Sequence, residues 1–450
     1  MKSEKLLTRR QFLATTALAT AAMTVGPYVE TSYSAGKLSV GLWDHWVPGA
    51  NKVSRKIIED WAKANHIDIT IDYITSMGGK QLVTIAAEAR AKTGHDVMDF
   101  PTVQTALHRD SLEPMDDVVN EVISQYGPLS PDAEYLGKIE GTWYSAPGPI
   151  GSHTYPMVSR LDLWKKYAGI DLKKIFPASP DRDPELVKSW NYDNFLEACK
   201  KLHKAGYPFG NPIGATSDSQ DWLGPLFMSF GSMFVNEKGE ITVDSDATRQ
   251  ALEYMKKLTQ YMPPEVYAWD DASNNRWIIS GRGSAIQNPP SAWAVAVRDK
   301  PDIAKQIWHH DTPAGPKGRF RGSLPRMMGV WNFSKNKTAG KDLILHLLQK
   351  EQQYKLIAAS KGYDVPLIKA FTAHPVWEEA SPPLGTLYNY PVRGDEFQMM
   401  CGYPAPITIA AQIYSQATIP NTVAKVTQEG ASIDEAIKWA VNELEGYMRG

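Results

Sequence analysis

Cysteine is almost missing from this chain of 450 residues: Cys199 and Cys401 are the two it has. That excludes a small disulfide-framed fold and a zinc site built from four cysteines. Two cysteines so far apart read equally well as one bridge or as two buried thiols. An excess of either charge is missing too. Lys plus Arg number 48 against 50 for Asp plus Glu, a net charge of -2, so the basic footprint of a nucleic-acid partner is absent. Beyond the N-terminal region no apolar run is long enough to read as a membrane span. Catalytic signatures are missing as well: there is no His-Glu-x-x-His, no Gly-x-Ser-x-Gly and no P-loop. "GRGSAI" lacks the third glycine of a dinucleotide fingerprint, and the Ser-x-x-Lys at Ser334–Lys337 lies in a hydrophilic loop. A glycosidase needs only two suitably spaced carboxylates, so a secreted glycoside hydrolase or lyase stays open as the alternative reading.

What the chain has in quantity is aromatic surface, with 14 Trp and 20 Tyr. Such rings serve where a surface must be large, rigid and partly polar, as in cores and ligand clefts. At the N-terminus, "TRRQFLATTALATAAM" joins the pair Arg9 and Arg10 to a short, weakly apolar run, and "SYS" at 32–34 supplies a small-x-small site. The segment 1–34 is thus expected to be a leader of twin-arginine type, cleaved after Ser34, which predicts a soluble periplasmic protein.

The pattern then alternates between two periods. "KLSVGL" has the apolar alternation of a strand. "NKVSRKIIEDWAKAN" sets Val53, Ile57, Ile58, Trp61 and Ala62 on one helical face. A strand through Ile67, Ile69, Ile71 and Tyr73 follows, then a helix over roughly 77–92 and a strand at "HDVMDF". This β-α-β-α-β order predicts parallel strands, whose ligands bind beyond the carboxyl ends. Trp43, Asp44, His45 and Trp46 lie at one such end; Phe100 and Gln104 lie at another. Glycines and prolines at 147–151 predict a constrained connection between two bodies. Helices are expected at "VSRLDLWKKYAG" and "NYDNFLEACKKLHKAG", each ended by glycine. "GEITVDSDATRQALEYMKKLTQYM" reads as a strand, an Asp cap and a helix, and "MMGVWNFSKNKTAGKDLILHLLQKEQQYKLIAA" as a strand, a loop and one helix.

In order along the chain, "GLWDHW", "RLDLWKKYAGID", "SGRGSAIQNPPSAW", "TPAGP", "MMGVWNFSKN" and "EGASIDEAIKWAVNELE" resemble the extracellular solute-binding proteins of ABC importers, family 1, the sugar-binding group that includes maltose-binding protein. The resemblance implies an α/β fold of the two-lobed periplasmic-binding-protein type (type II-like) with an interlobe cleft. It implies crossings near 150, 323 and 357, an N-terminal lobe of 35–150 plus 324–356, and a C-terminal lobe of 151–323 plus 357–450. It implies a monomeric carrier, not an enzyme, needing no cofactor, that delivers a sugar, oligosaccharide or polyol to a membrane permease.

Under that reading Trp43 and Trp46 stack on a sugar face and Asp44 accepts from its hydroxyls. His45 is placed as readily to cap the following helix. Phe100, Gln104, Trp222, Trp269, Asp270, Asn288 and Trp293 complete the expected contacts, with core packing the competing role for the aromatics. Two stacking platforms of maltose-type members are replaced, by Ser291 and Gln416, so the sugar class is implied but not the sugar. His309, His310 and Asp311 alternate along an extended chain and make an awkward metal site. Tyr388 and Tyr390 mark a remote iron-carrier reading, and Arg393 is expected to pair with Asp395.

Overall fold

The computed structural model describes residues 36–47, 49–177, 181–376 and 397–449; the expected leader 1–34, Tyr388, Tyr390, Arg393 and Asp395 lie outside them. Strand β1 (Lys37–Trp43) buries Leu38, Val40 and Leu42, as its alternation requires. It lies parallel to both β2 (Asp68–Ile74) and β3 (Val97–Pro101) and between them. The helix Ala50–Ala64 closes the first crossover and buries Ile57, Ile58, Trp61 and Ala62. The helix Lys80–Ala91 closes the second and buries Ile85 and Ala89.

Long-range pairing completes this sheet. After a short hairpin of β4 (Lys138–Ile139) and β5 (Thr142–Trp143) comes β6 (Ala146–Tyr155). The expected glycine-proline connection is therefore a ten-residue strand. Its glycines admit close neighbours: a Cβ on Gly151, whose φ is +71°, would meet the Val365 carbonyl oxygen at 2.0 Å. A second sheet pairs β7 (Met157–Arg160) antiparallel with β8 (Ala285–Gln287) and β9 (Ile307–His310). Strand β10 (Phe320–Val330) returns to the first sheet, antiparallel to β3 and β6, and β11 (Phe397–Met399) joins its beginning in parallel. Only Pro156 separates β6 from β7, so the chain passes between the sheets there. It comes back between His310 and Phe320. It leaves again past the helix Lys350–Ala359, because the later helices Thr418–Thr427 and Ile433–Arg449 pack on Ser217–Phe230 and Asp246–Leu258.

Several local expectations change. The start of "VSRLDLWKKYAG" is β7, and only Leu161–Ala168 coils, ending at left-handed Gly169. The helix at 246 is capped by Ser245, whose hydroxyl accepts from the Thr248 amide, and not by an aspartate. Such a cap contributes about 1 kcal/mol. The region 337–359 forms two helices, Lys337–Leu347 and Lys350–Ala359. Cys199 and Cys401 are both free and buried, so they form no bridge. His309 and His310 are buried in β9. Among the described residues no helix is long and apolar enough to cross a membrane.

Candidate functional site

The carboxyl end of β1 meets β3, β6 and β10. On β3 the two-residue period turns Asp99 toward Trp43 and Phe100 away from it. Asp99 accepts from the Trp43 amide at 3.2 Å and from Arg326 Nη2 and Nε at 2.7 and 3.0 Å. Arg326 Nη2 also donates to Gln81 Oε1 at 2.8 Å. The pair is buried, so the guanidinium neutralises a carboxylate that would otherwise be costly there. The Arg326 guanidinium lies 4.7 Å from the centre of the Trp43 ring, and Trp43 Nε1 donates to Ser76 Oγ at 3.2 Å. Imidazoles cover the indole as well: His45 stands 4.8 Å away and His153 5.0 Å. Trp43 is consequently only 3% exposed.

The two imidazoles converge on one carboxylate. His45 Nε2 lies 2.9 and 3.1 Å from the two Asp364 oxygens, and His153 Nε2 lies 3.1 Å from Oδ1. Burial by itself would raise the Asp364 pKa; the approach of His45 and the hydrogen bonds from both rings outweigh it and hold the value at about 2. Burial pushes His153 down. The His45 tautomer follows from its other nitrogen. The Val47 amide donates to Nδ1 at 2.8 Å, so the ring hydrogen sits on Nε2 and points at Asp364. These three side chains bring ligand atoms within 4.8 Å of one another, a number and type that would suit zinc. The arrangement does not fit one. A metal-bound histidine donates from its second nitrogen, whereas His45 accepts there and has no lone pair left at Nε2.

Beside this group, Trp43, Val47 and Tyr363 form a small apolar cluster apart from the main core, with Trp46 and Ile150 against it. The Tyr363 ring packs 4.5 Å from His153 and 5.3 Å from His45.

Two residues beyond His153, on the same face of β6, Tyr155 reaches a second polar cluster. Its hydroxyl bonds Asp218. Asn274 Nδ2 donates to Asp218 Oδ2 at 2.7 Å and to Asn288 Oδ1 at 2.8 Å. Asn288 Nδ2 donates to Asn275 Oδ1 and Ser291 Oγ at 2.8 and 2.9 Å. Asp221 accepts from the Tyr414 hydroxyl at 3.2 Å. Burial, and then the neighbouring carboxylates Asp271 and Asp221, push the Asp218 carboxyl well above its usual range; burial raises Asp221 and Asp271 too. Carboxyl oxygens accept and the three carboxamides both donate and accept, so this cluster offers both functions.

The expected residues divide accordingly. Trp43, His45 and Trp46 are brought together, Trp46 half-buried; Asp44 is exposed, with its carboxylate accepting from Asn51 Nδ2 at 2.7 Å. Asn288 sits in the second cluster. Trp293 packs both on the second-sheet apolar cluster and on Ile357. The others do not join either group. Phe100 is fully buried edge-on to Trp331 at 5.1 Å, and Gln104 is buried at a helix start. Trp222 is buried, donating to the Pro212 carbonyl at 2.7 Å. Trp269 leans on Trp277 at 5.5 Å, and exposed Asp270 pairs with Arg276 at 2.7 Å. Asp99, His153, Tyr155, Asp218, Arg326 and Asp364 escaped the sequence reading, whereas Asn274, weighed beside Asp270 as a contact, sits in the second cluster. The alternation in "GSHTY" would have put His153 and Tyr155 on one face had that segment been read as a strand. Nothing local marks Asp364, which lies 319 positions from His45.

The sequence profile of the bacterial extracellular solute-binding proteins matches residues 56–382. No curated protein sequence matches the chain significantly. Among solved structures, maltose-bound MalE3 of T. maritima is 19% identical, with a TM-score of 0.72 over 91% of this chain and 99% of that one. A sugar transporter protein from Arthrobacter chlorophenolicus A6 with bound laminaribiose is 17% identical, with a TM-score of 0.72 over 92% and 99%. A solute-binding protein of Thermotoga lettingae TMO bound to α-D-tagatose is 15% identical, with a TM-score of 0.68 over 92% and 99%. At these identities the likeness is one of fold: two lobes of α/β structure.

Proposed function

The chain belongs to the bacterial extracellular solute-binding proteins, and from that premise we propose that it is the substrate-binding component of an ABC importer. It captures a sugar, oligosaccharide or polyol between its lobes and hands it to a membrane permease. One observation carries this reading: a single face of β6 joins the jaw of Trp43, His45 and Trp46 to the carboxamide and carboxyl cluster around Asn288. An aromatic jaw opposite a dense set of donors and acceptors suits a ring with an apolar face and a hydroxyl rim. The maltose, laminaribiose and tagatose held by structures of the same fold support the sugar class. Trp46, Asp44, Asn288 and Trp293 are the contacts proposed for this chain, Trp46 as the stacking ring and Asp44 as a hydroxyl acceptor. Residues 35–150 plus 324–356 and 151–323 plus 357–450 are the proposed lobes. The leader 1–34 is proposed to export the protein to the periplasm, where it acts as a monomer.

The test is a thermal-shift screen with maltose, laminaribiose, tagatose and simple polyols. A ligand at 100 times its dissociation constant adds about 2.7 kcal/mol to the folded state, a shift of several degrees. A melting point unmoved by every compound at millimolar concentration refutes the sugar reading. Chromatography of the same mixtures should show no cleavage products.

A further inference from the structure

We propose that Asp364 is a positioning residue: it fixes the ligand jaw through His45 and ties that jaw to the crossing strand β6, so that gripping ligand and closing the lobes are one event. The role in closure rests on the solute-binding reading above.

Three chain segments meet at this carboxylate. His45 belongs to the loop after β1, His153 to the crossing strand β6, and Asp364 itself to the stretch after Ala359, which still bonds the first lobe, the Ser130 amide donating to the Leu367 carbonyl at 2.7 Å. That stretch and β6 are also joined at the residue adjacent to each. The Ser152 amide donates to the Val365 carbonyl at 2.7 Å, and the Val365 amide returns to Ser152 at 2.9 Å. The Asp364 amide donates to Ser360 Oγ at 3.2 Å, which holds the carboxylate against the end of its helix. Asp364 is 3% exposed, with one oxygen shared by both imidazoles, so it is placed to hold other residues and not to meet a solute.

The hydrogen-bond directions make the chain of command specific. Asp364 accepts the Nε2 hydrogen of His45, and that leaves Nδ1 free to accept the Val47 amide at 2.8 Å. The jaw loop is thereby closed on itself by a ring whose tautomer Asp364 sets. The same contacts enclose the apolar cluster of Trp43, Val47 and Tyr363, in which the jaw and the stretch after Ala359 pack together away from the main core. At the far end of β6, Tyr155 bonds into the second polar cluster. A rotation of one lobe against the other therefore has to move or strain the jaw.

The experiment uses the exported, mature protein with the substitutions Asp364→Asn, His45→Ala, His45→Gln and the double variant Asp364→Asn/His45→Ala. Hydrogen exchange read by mass spectrometry on the peptide spanning 44–50 needs no ligand. Asp364→Asn should speed exchange there at least 10-fold, because a carboxamide sets an N–H donor where one carboxylate oxygen accepts, so the His45 ring that accepts from the Val47 amide is no longer held, while the helix Ala50–Ala64 beyond its first turn exchanges as before. Unchanged exchange in that peptide overturns the tether. His45→Gln keeps an amide donor for Asp364 and should retain most of the protection; His45→Ala should not. Should Asp364→Asn fail to fold, the two His45 variants test the same bond from its other end. Calorimetry and small-angle scattering with a sugar that shifts the wild-type melting point then test the coupling. Either single variant should weaken binding at least 10-fold and reduce compaction at saturating ligand, and the double variant should be no worse than the worse single. Additive losses, or full compaction in the variants, overturn the coupling. If maltose, laminaribiose and tagatose all fail to bind the wild type, the sugar reading falls while the exchange result still decides the tether.

Discussion

Replacing Trp43 with alanine separates two roles that the sequence leaves entangled. As a ligand platform the indole would be half-open in the unliganded protein, and its loss would weaken binding while leaving the fold intact. The structure places it otherwise, at 3% exposure between the Arg326 guanidinium and the rings of His45 and His153. A buried tryptophan removes roughly 150–250 Å² from water, worth about 4–6 kcal/mol at 25 cal/mol per Å², an upper bound. Measured losses for core Trp→Ala changes run at about 3–5 kcal/mol. Arg326 would also lose the ring it lies against, and the Ser76 hydroxyl its donor. Thermal unfolding followed by circular dichroism should therefore show Trp43→Ala melting about 3–6 °C below wild type, the melting entropy growing with chain length. Trp46→Ala is the control. That ring is half-buried and makes part of the same small cluster, so its removal should cost about 1–2 kcal/mol in stability. Its binding loss should be larger, roughly 30-fold in dissociation constant for a stacking ring. A Trp43→Ala protein that melts within about 2 °C of wild type and has lost its ligand would refute the burial argument and return Trp43 to the cleft.

Two other perturbations follow from buried charge. Arg326→Met leaves Asp99 ionised in the interior without its cation and should lower unfolding free energy in urea by about 3–5 kcal/mol; the double variant Arg326→Met/Asp99→Leu should recover part of that loss. Burial holds His309 and His310 at about 3, below the ordinary 6.5, so the unfolded chain takes up protons that the folded chain refuses. Stability from each ring is complete above pH 6.5 and falls as the pH drops toward 3, by about 2 kcal/mol per ring between pH 6.5 and 5. His310→Asn should flatten that slope in urea titrations at several pH values; an unchanged slope would mean the ring is already protonated in the fold.

Local order determined much of this protein before any tertiary structure was known. The alternation of Leu38, Val40 and Leu42, and the spacing of Ile57, Ile58 and Trp61, fixed the opening strand and its crossover helix, because periods of two and 3.6 are imposed by backbone geometry alone. The same local signal put Trp43, His45 and Trp46 together at the carboxyl end of that strand. What local order could not decide was which groups face one another. "PGPIG" carries every mark of a loop, yet it is strand β6, since β10 and the Val365 backbone come close enough to need its glycines. Phe100 and Asp99 are adjacent in sequence, and only the pairing of β3 with β10 turned the aromatic into the core and the carboxylate toward Arg326. The joining of His45, His153 and Asp364 depended on β6 and the stretch after Ala359 returning to a single point beside β1. Short periods are written in neighbouring residues, whereas such a junction is set by how the sheets close on each other.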